Sequence, residues 1–324
     1  MAPPDSHTAV PLATGRILVT GAGGFVGRAL TMHLMRQGVA VTAVVRHPPP
    51  GLPFAVTQVT RYEDMAGLMP GHDCLVHLAA RVHVMRDATA DPLAAFRAAN
   101  TTLSASLAHS AAAAGLRRMV YLSSVKVNGE ETRLGQAFGP DDACFPQDPY
   151  AVSKMEAERL LRHICADTGL ELVIVRPPLV YGAGVAANFA ALVRAVRRGL
   201  PLPLGAIDNR RSLVSLDNLV DFLGVCSVHL AAAGQTFLVS DGEDLSTPEL
   251  VRRLAACSGR RARLVSIPVD VLVTLAALLG RRKQVRRLTG SLQVDISKNA
   301  ALLGWTPVST VDEGLAKVMR GMKQ

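Results

Sequence analysis

Aromatic side chains make up only 4% of these 324 residues, and there is a single tryptophan. A chain so poor in large rings must close its core with aliphatic residues and with its abundant alanine, which suits helices packed closely through small side chains. It has no stripe of interleaved aromatic and basic residues on which bases could stack, and no zinc-finger spacing. The net charge of +9 therefore does not point to nucleic acid. Its arginines are scattered, as in the pairs at 117–118, 197–198, 210–211 and 252–253, apart from a cluster between Arg281 and Arg287. An anionic small ligand bearing a diphosphate accounts for such a balance more simply. The five cysteines (Cys74, Cys144, Cys165, Cys226, Cys257) are odd in number, far apart and without a CxxC pair. That usage fits a reducing cytoplasm and no structural disulfides. No apolar run reaches the ~18 residues a bilayer span needs, so no transmembrane segment is expected. The nearest, Val269 to Gly280, is short and carries Asp270. The start of the chain lacks the basic opening and apolar stretch of a secretory leader, and residues 1–14 read as a loose tail. No two histidines stand with a carboxylate at metal-ligand spacing; His33, His77 and His83 read as structural, and no metal is expected. Asp141 and Asp142 read as solvent-facing loop acids.

What is present is an alternation of apolar runs and helical spacings. Ile17 to Val19, Val39 to Val45, Cys74 to Leu78, Met119 to Ser123 and Leu172 to Val175 read as strands. Phe25 to Gln37, Leu103 to Ala114 and Ala151 to Cys165 read as helices. Strands alternating with helices give an α/β fold, a doubly wound parallel sheet covered on both faces, with a smaller C-terminal α/β domain. The expected boundaries are 15–182 for the dinucleotide-binding domain and 183–324 mainly for a substrate domain, with segments near 213–245 returning to the first. Beyond residue 182 the pattern predicts helices over Phe189 to Arg198, Asp217 to Ala233 and Thr247 to Ser258, the last capped by Thr247 and Glu249. Gly199 to Arg211 reads as a loop, Thr236 to Val239 as a strand, and Asp295 to Met322 as two more helices. Ile267 to Gly280, followed by Arg281-Arg282-Lys283, reads as a core helix with a basic end. The alternative is peripheral contact with an anionic membrane.

Thr20-Gly21-Ala22-Gly23-Gly24-Phe25-Val26-Gly27 joins the first strand to the first helix. Gly21 permits the tight exit, Gly24 lets backbone approach a pyrophosphate, and Gly27 lets helix pack on sheet. The helix start, Phe25 and Val26 included, offers N–H donors and a partial positive charge to phosphate. The second strand ends in Arg46 and His47, without the carboxylate that would grip an adenosine ribose. Arg46 can pair with a ribose 2′-phosphate, which favours NADP over NAD while leaving both open.

Tyr150-Ala151-Val152-Ser153-Lys154 places a phenol and an ammonium on one helix face. A free tyrosine titrates near ~10, too high for a proton shuttle at neutral pH, and a neighbouring ammonium would lower it. Ser124 ends the fourth strand at the carboxyl edge of the sheet, where its hydroxyl can hold the oxygen of an alkoxide becoming a carbonyl. Together these residues predict hydride transfer at a carbon that passes between alkoxide and carbonyl.

With those pieces the chain resembles the extended short-chain dehydrogenase/reductases of the NAD-dependent epimerase/dehydratase family. The matching stretches are TGAGGFVG (20–27), HLAA (77–80), Asn100, YLSSVKVNGE (121–130), YAVSK (150–154), RPPLVYG (176–182), RRSLVSLDNLV (210–220) and SKNAALLGWTP (297–307). The resemblance implies that Leu78, Ala79, Ala80 and Asn100 line the cofactor and that Pro177 and Leu179 flank its nicotinamide. It also implies that Lys154 holds the nicotinamide ribose, and that Asn188, Arg211, Ser124 and Lys126 meet a nucleotide-sugar substrate. A homodimer is expected by resemblance alone. Val125 and Lys126 stand where dehydratases of the family carry an acidic pair, which argues against dehydration. The run SSVKVNGE is similar to a subgroup from bacterial surface-polysaccharide clusters, described as UDP-glucose 4-epimerase-like or as UDP-4-keto-sugar reductases. Epimerase and reductase stay open. A non-catalytic dinucleotide-binding regulator and a membrane-associated interaction protein are the rival classes.

Overall fold

The computed structural model describes residues 15–82, 91–278, 280 and 282–321. The expected tail, His83, Arg281 and Met322 lie outside them. In chain order the strands are β1 (Arg16–Thr20), β2 (Ala40–Val45), β3 (Thr57–Gln58), β4 (Cys74–His77), β5 (Arg118–Leu122) and β6 (Ala137–Phe138). They continue with β7 (Glu171–Arg176), β8 (Leu179–Tyr181), β9 (Arg211–Ser215), β10 (Thr236–Leu238), β11 (Asp244–Leu245) and β12 (Gln293–Val294). The helices are α1 (Phe25–Arg36), α2 (Pro92–Phe96), α3 (Leu103–Ala113), α4 (Pro149–Thr168), α5 (Ala187–Arg197) and α6 (Leu216–Val228). After them come α7 (Thr247–Ala256), α8 (Val269–Leu278), α9 (Arg282–Thr289), α10 (Ser297–Leu303) and α11 (Val311–Gly321).

Seven strands pair in parallel in the order β3-β2-β1-β4-β5-β7-β10. Alternate residues of β1 explain why both faces are covered. Ile17 and Val19 join Leu30 and Leu34 of α1 and Leu219 and Phe222 of α6 on one side. Leu18 joins Leu107 of α3 and Leu161 of α4 on the other. Burial of each such side chain is worth about 1.5–3 kcal/mol, and a strand apolar on both faces is stable only between two helix layers. The winding direction reverses between β1 and β4, which opens a crevice beyond their carboxyl ends.

A second cluster of buried apolar residues sits away from this sheet, built from Phe189 and Val193 of α5, Leu213 of β9, Leu254 of α7 and Leu315 of α11. Strands β8, β9 and β11 form a separate three-stranded sheet, and β6 pairs with β12. Between β9 and β11, α6 lies on α1 and β10 pairs with β7 of the main sheet.

Three local expectations are corrected. The segment from Asp217 to Ala233 is not one helix: α6 stops at Val228 and a 3₁₀ turn follows over Leu230–Ala232. The fully buried Arg118 guanidinium donates to the Cys226 and His229 carbonyls at 3.0 and 2.9 Å, and so satisfies the helix end. The cap of α7 is Ser246, whose hydroxyl accepts the Glu249 N–H at 3.2 Å, while Thr247 donates to the Leu288 carbonyl. Helix α8 buries only Ala276 and leaves Val271, Leu275 and Leu278 exposed, so it is not a core helix. No helix among the described residues is long and apolar enough to cross a membrane.

Candidate active site

The glycine turn closes against the end of β4. Gly21 has φ +69°, and a Cβ there would lie 2.8 Å from the Ala79 nitrogen. A Cβ on Gly27 would lie 2.1 Å from the Gly21 carbonyl oxygen. Both glycines are therefore imposed by close backbone approach. Helix α1 starts at Gly24 without a side-chain cap, so the first-turn N–H groups of Phe25 and Val26 carry no capping side chain. This uncapped N-terminus, with Leu78 and Ala79 packed on the Gly21 turn, is a cradle whose donors fit a dinucleotide diphosphate.

The crevice floor is held by a relay of buried polar groups. The Thr20 hydroxyl sits 2.7 Å from His77 Nδ1, and His77 Nε2 sits 3.0 Å from the Ser104 hydroxyl. Thr20 also accepts the N–H groups of Leu78 and Ala79. His77 is pushed down to about 3, by burial first and then by the Lys154 charge, which keeps it neutral. It is thus a satisfied structural histidine. Asn100 is almost fully buried in a π-helical stretch, Arg97–Thr102. Its amide bonds both backbone groups of Arg81 and donates to the Ser153 hydroxyl at 3.0 Å. Asn100 thereby ties the segment after Ala80 to α4.

Helix α4 presents the phenol and the ammonium. Asp148 caps it by accepting the Ala151 N–H at 2.8 Å, and Pro149 occupies its first position. Tyr150 follows, edge-on to Phe96, with the Ser124 hydroxyl beside its phenol. Ser124 also caps the short 3₁₀ turn Val125–Val127. Pro177 is brought alongside, its carbonyl accepting the Val125 N–H at 3.0 Å, and Leu179 stands exposed at the start of β8. Lys154 is buried and donates to the Leu122 carbonyl at 2.8 Å, with its ammonium 4.4 Å from the Tyr121 ring centroid. Burial lowers it to about 7, against the raising effect of Glu158.

One electrostatic expectation is not met. Tyr150 is not lowered by Lys154; it is pushed up to about 12 by burial, with Ser124 pulling it down and Asp148 pushing it up. The physical reason is that the ammonium points to the strand-end carbonyl.

The remaining expected residues are dispersed. Arg46 is exposed and lies 5.4 Å from the Tyr62 ring centroid. The Tyr62 hydroxyl accepts the Gly21 N–H at 3.1 Å. Lys126 Nζ donates to Glu130 at 2.9 Å and also to Asp148. Asn188 is exposed in the first turn of α5, after Ala187 with its left-handed φ of +55°. Arg211 donates to the Gly290 carbonyl at 2.9 Å, and burial lowers its pKa. No described contact joins Asn188 or Arg211 to Ser124 or Tyr150. Among the described residues no group of three or more His, Cys, Asp or Glu side chains could hold a metal ion.

Sequence reasoning missed Tyr62, which braces the glycine turn, and Asp148, which caps α4. Asp-Pro directly before Tyr150 is a helix-start signal that could have revealed the latter. It also missed the buried pair of Arg176 and Glu158, both 3% exposed and 2.6 Å apart. Glu158 further accepts from Ser123 at 2.5 Å, which locks α4 to the ends of β5 and β7.

Residues 17–239 match the NAD dependent epimerase/dehydratase family. The chain is 43% identical over 313 residues to a UDP-glucose 4-epimerase from Vibrio cholerae, with 95% of each protein covered. A solved UDP-glucose 4-epimerase from Thermotoga maritima with UDP-glucose superposes at a TM-score of 0.77 and 21% identity, over 95% of this chain and 98% of that one. A UDP-glucuronic acid 4-epimerase from Bacillus cereus in complex with NAD gives 0.76 at 20% identity, over 95% and 99%. At such identities these two structures speak for the fold.

Proposed function

The chain belongs to the NAD dependent epimerase/dehydratase family, and from that premise we propose that it is a nucleotide-sugar 4-epimerase that inverts the C4 hydroxyl of a UDP-hexose. The observation that carries this reading is the Tyr150 phenol brought beside the Ser124 hydroxyl and the buried Lys154, next to a glycine cradle at the sheet's switch point. Gly21, Gly24, Phe25, Val26 and Gly27 would hold the dinucleotide's diphosphate, with Leu78, Ala79 and Ala80 along its other side. Lys154 would hold the nicotinamide ribose, and Pro177 and Leu179 the nicotinamide. The chemistry NAD supplies when bound is a reversible hydride acceptor.

The residues of the chain divide the proton chemistry between them. Tyr150 takes the C4 hydroxyl proton and returns it to the C4 oxygen. Ser124 holds that oxygen in both states. With the phenol near 12, the protonated form dominates at neutral pH and suits the return step. Removal of the proton needs phenolate, so turnover is expected to climb with pH through the alkaline range. Asn188 and Arg211 would meet the sugar and its diphosphate. The place of the reaction in surface-polysaccharide synthesis rests on the resemblance of residues 121–130.

The test is Tyr150→Phe assayed with UDP-glucose. The expected result is a loss of turnover of about 10²–10⁴-fold with dinucleotide binding retained. Unchanged turnover would remove the mechanism.

A second reading, a 4-ketoreductase that exchanges NADPH, is favoured by Arg46. The position that would carry a ribose-gripping acid holds a guanidinium stacked on Tyr62, free of carboxylate repulsion toward a 2′-phosphate. Mass spectrometry of the purified protein separates the two: retained NAD(H) supports the epimerase, and NADP(H) the reductase.

A further inference from the structure

Lys126 sits two residues beyond Ser124, in the turn that leaves β5, and its ammonium reaches two carboxylates. One is Glu130, at 2.9 Å on the same turn. The other is Asp148, whose second oxygen caps α4 two residues before Tyr150. A single side chain thus spans from the segment that carries the hydroxyl to the helix start that carries the phenol. The ion pairs are half-buried, at 18% exposure for Lys126 and 23% for Asp148, so water screens them less than it would a surface pair. We propose that Lys126 is a positioning residue, a clasp that holds the Ser124 turn against the start of α4 and so keeps hydroxyl and phenol within hydrogen-bond reach. The inference rests on the epimerase reading of this site and adds to it a role for a residue expected to touch substrate.

The clasp has an electrostatic side. Several described groups act on the phenol. Asp148 opposes its ionisation and the Ser124 hydroxyl favours it. Phe96 packs on it without charge. Lys154 is turned to the Leu122 carbonyl, Tyr121 lies beneath Lys154, and Glu158 is taken by Arg176 and Ser123. Lys126 is a cation that offsets Asp148, with Glu130 as its other partner. Without it, Asp148 would act on Tyr150 more strongly, and the phenol would ionise at higher pH.

The experiment compares Lys126→Met, Lys126→Arg and Asp148→Asn in the full chain. Asparagine remains a good helix cap, so the last variant removes charge while keeping the cap. Lys126→Met is expected to lower kcat about tenfold with KM and retained dinucleotide unchanged, and to move the pH profile of kcat up by about half a unit to one unit. Lys126→Arg should restore most of both. Asp148→Asn should move the profile the opposite way, and adding Lys126→Met to it should move it little further. A Lys126→Met enzyme with wild-type kcat and pH profile, or one whose whole defect is in KM, overturns the clasp. Wild-type turnover of UDP-glucose is measured first. If it is absent, the epimerase reading fails, while ultraviolet titration of the Tyr150 phenol, by difference from Tyr150→Phe, still decides the clasp. The same shifts are then expected, and identical titrations would refute it. If Lys126→Met does not fold, the downward shift in Asp148→Asn serves as the deciding measurement.

Discussion

Between Thr20 and Ser104 the His77 ring is buried, bonded at both nitrogens and held neutral down to about pH 3. An unfolded chain takes up that proton near its ordinary 6.5, whereas the folded one does not until about 3. Stability from this group is therefore complete above pH 6.5 and lost as the pH falls toward 3. Urea unfolding across that range should show a steep loss of stability in the wild type and a shallower one in His77→Phe; parallel slopes would mean the ring does not titrate this way. Gly27 is constrained by space alone. Its missing Cβ would sit 2.1 Å from a carbonyl oxygen, so Gly27→Ala should force the turn open, destabilise the fold by about 1–3 kcal/mol and abolish dinucleotide retention. Wild-type retention in that variant would contradict the cradle. At this scale the sequence was informative where chemistry demands a residue type. Gly21 and Gly27 were readable from backbone approach, and Tyr150 and Lys154 from their spacing on a helix. Tyr62 was not, because its hydrogen bond joins segments distant in the chain, 41 residues apart for Tyr62 and Gly21.

Helix α4 depends on its flanking ties as much as on its own pattern. Asp148 and Pro149 start it, the left-handed Gly169 ends it, and Glu158 fastens its middle through Ser123 and Arg176. Arg176→Met would leave the buried Glu158 carboxylate with Ser123 and with the half-exposed Arg162 guanidinium at 4.0 Å. Removal of one partner from such a pair costs about 3–5 kcal/mol, and a chemical-denaturation series should show it. A loss below that of an exposed pair would place Glu158 in contact with water. The helices and central strands were legible because each carries a full period of apolar residues. Strands β8 and β11 were not, since three and two residues define no period and their pairing is made by distant β9. Strand β9 was hidden for a related reason: Arg211 and Ser212 look like the end of the preceding loop until Leu179 and Asp244 pair with the strand.

The parallel sheet ends in the glycine turn proposed as a phosphate cradle, and Asn188 and Arg211 lie outside it, on α5 and β9. The doubly wound fold expected from alternating strands and helices is the one that forms, because β1, β4, β5 and β7 are apolar on both faces and need two layers of helix. The substrate face was less legible, since pocket shape depends on loops and on the placement of one body against the other. A homodimer is proposed, and sedimentation equilibrium should return twice the chain mass of 34.3 kDa; a monomer at micromolar concentration would refute it. The central claim is that hydride leaves C4 of a sugar and returns to it inside one pocket, with Tyr150 and Ser124 on the oxygen. UDP-glucose carrying deuterium at C4 tests this directly. The account expects a C4-epimerised product that keeps its deuterium at C4, as read by NMR. An epimerised product whose deuterium has washed out into solvent, or no epimerised product at all, would contradict it.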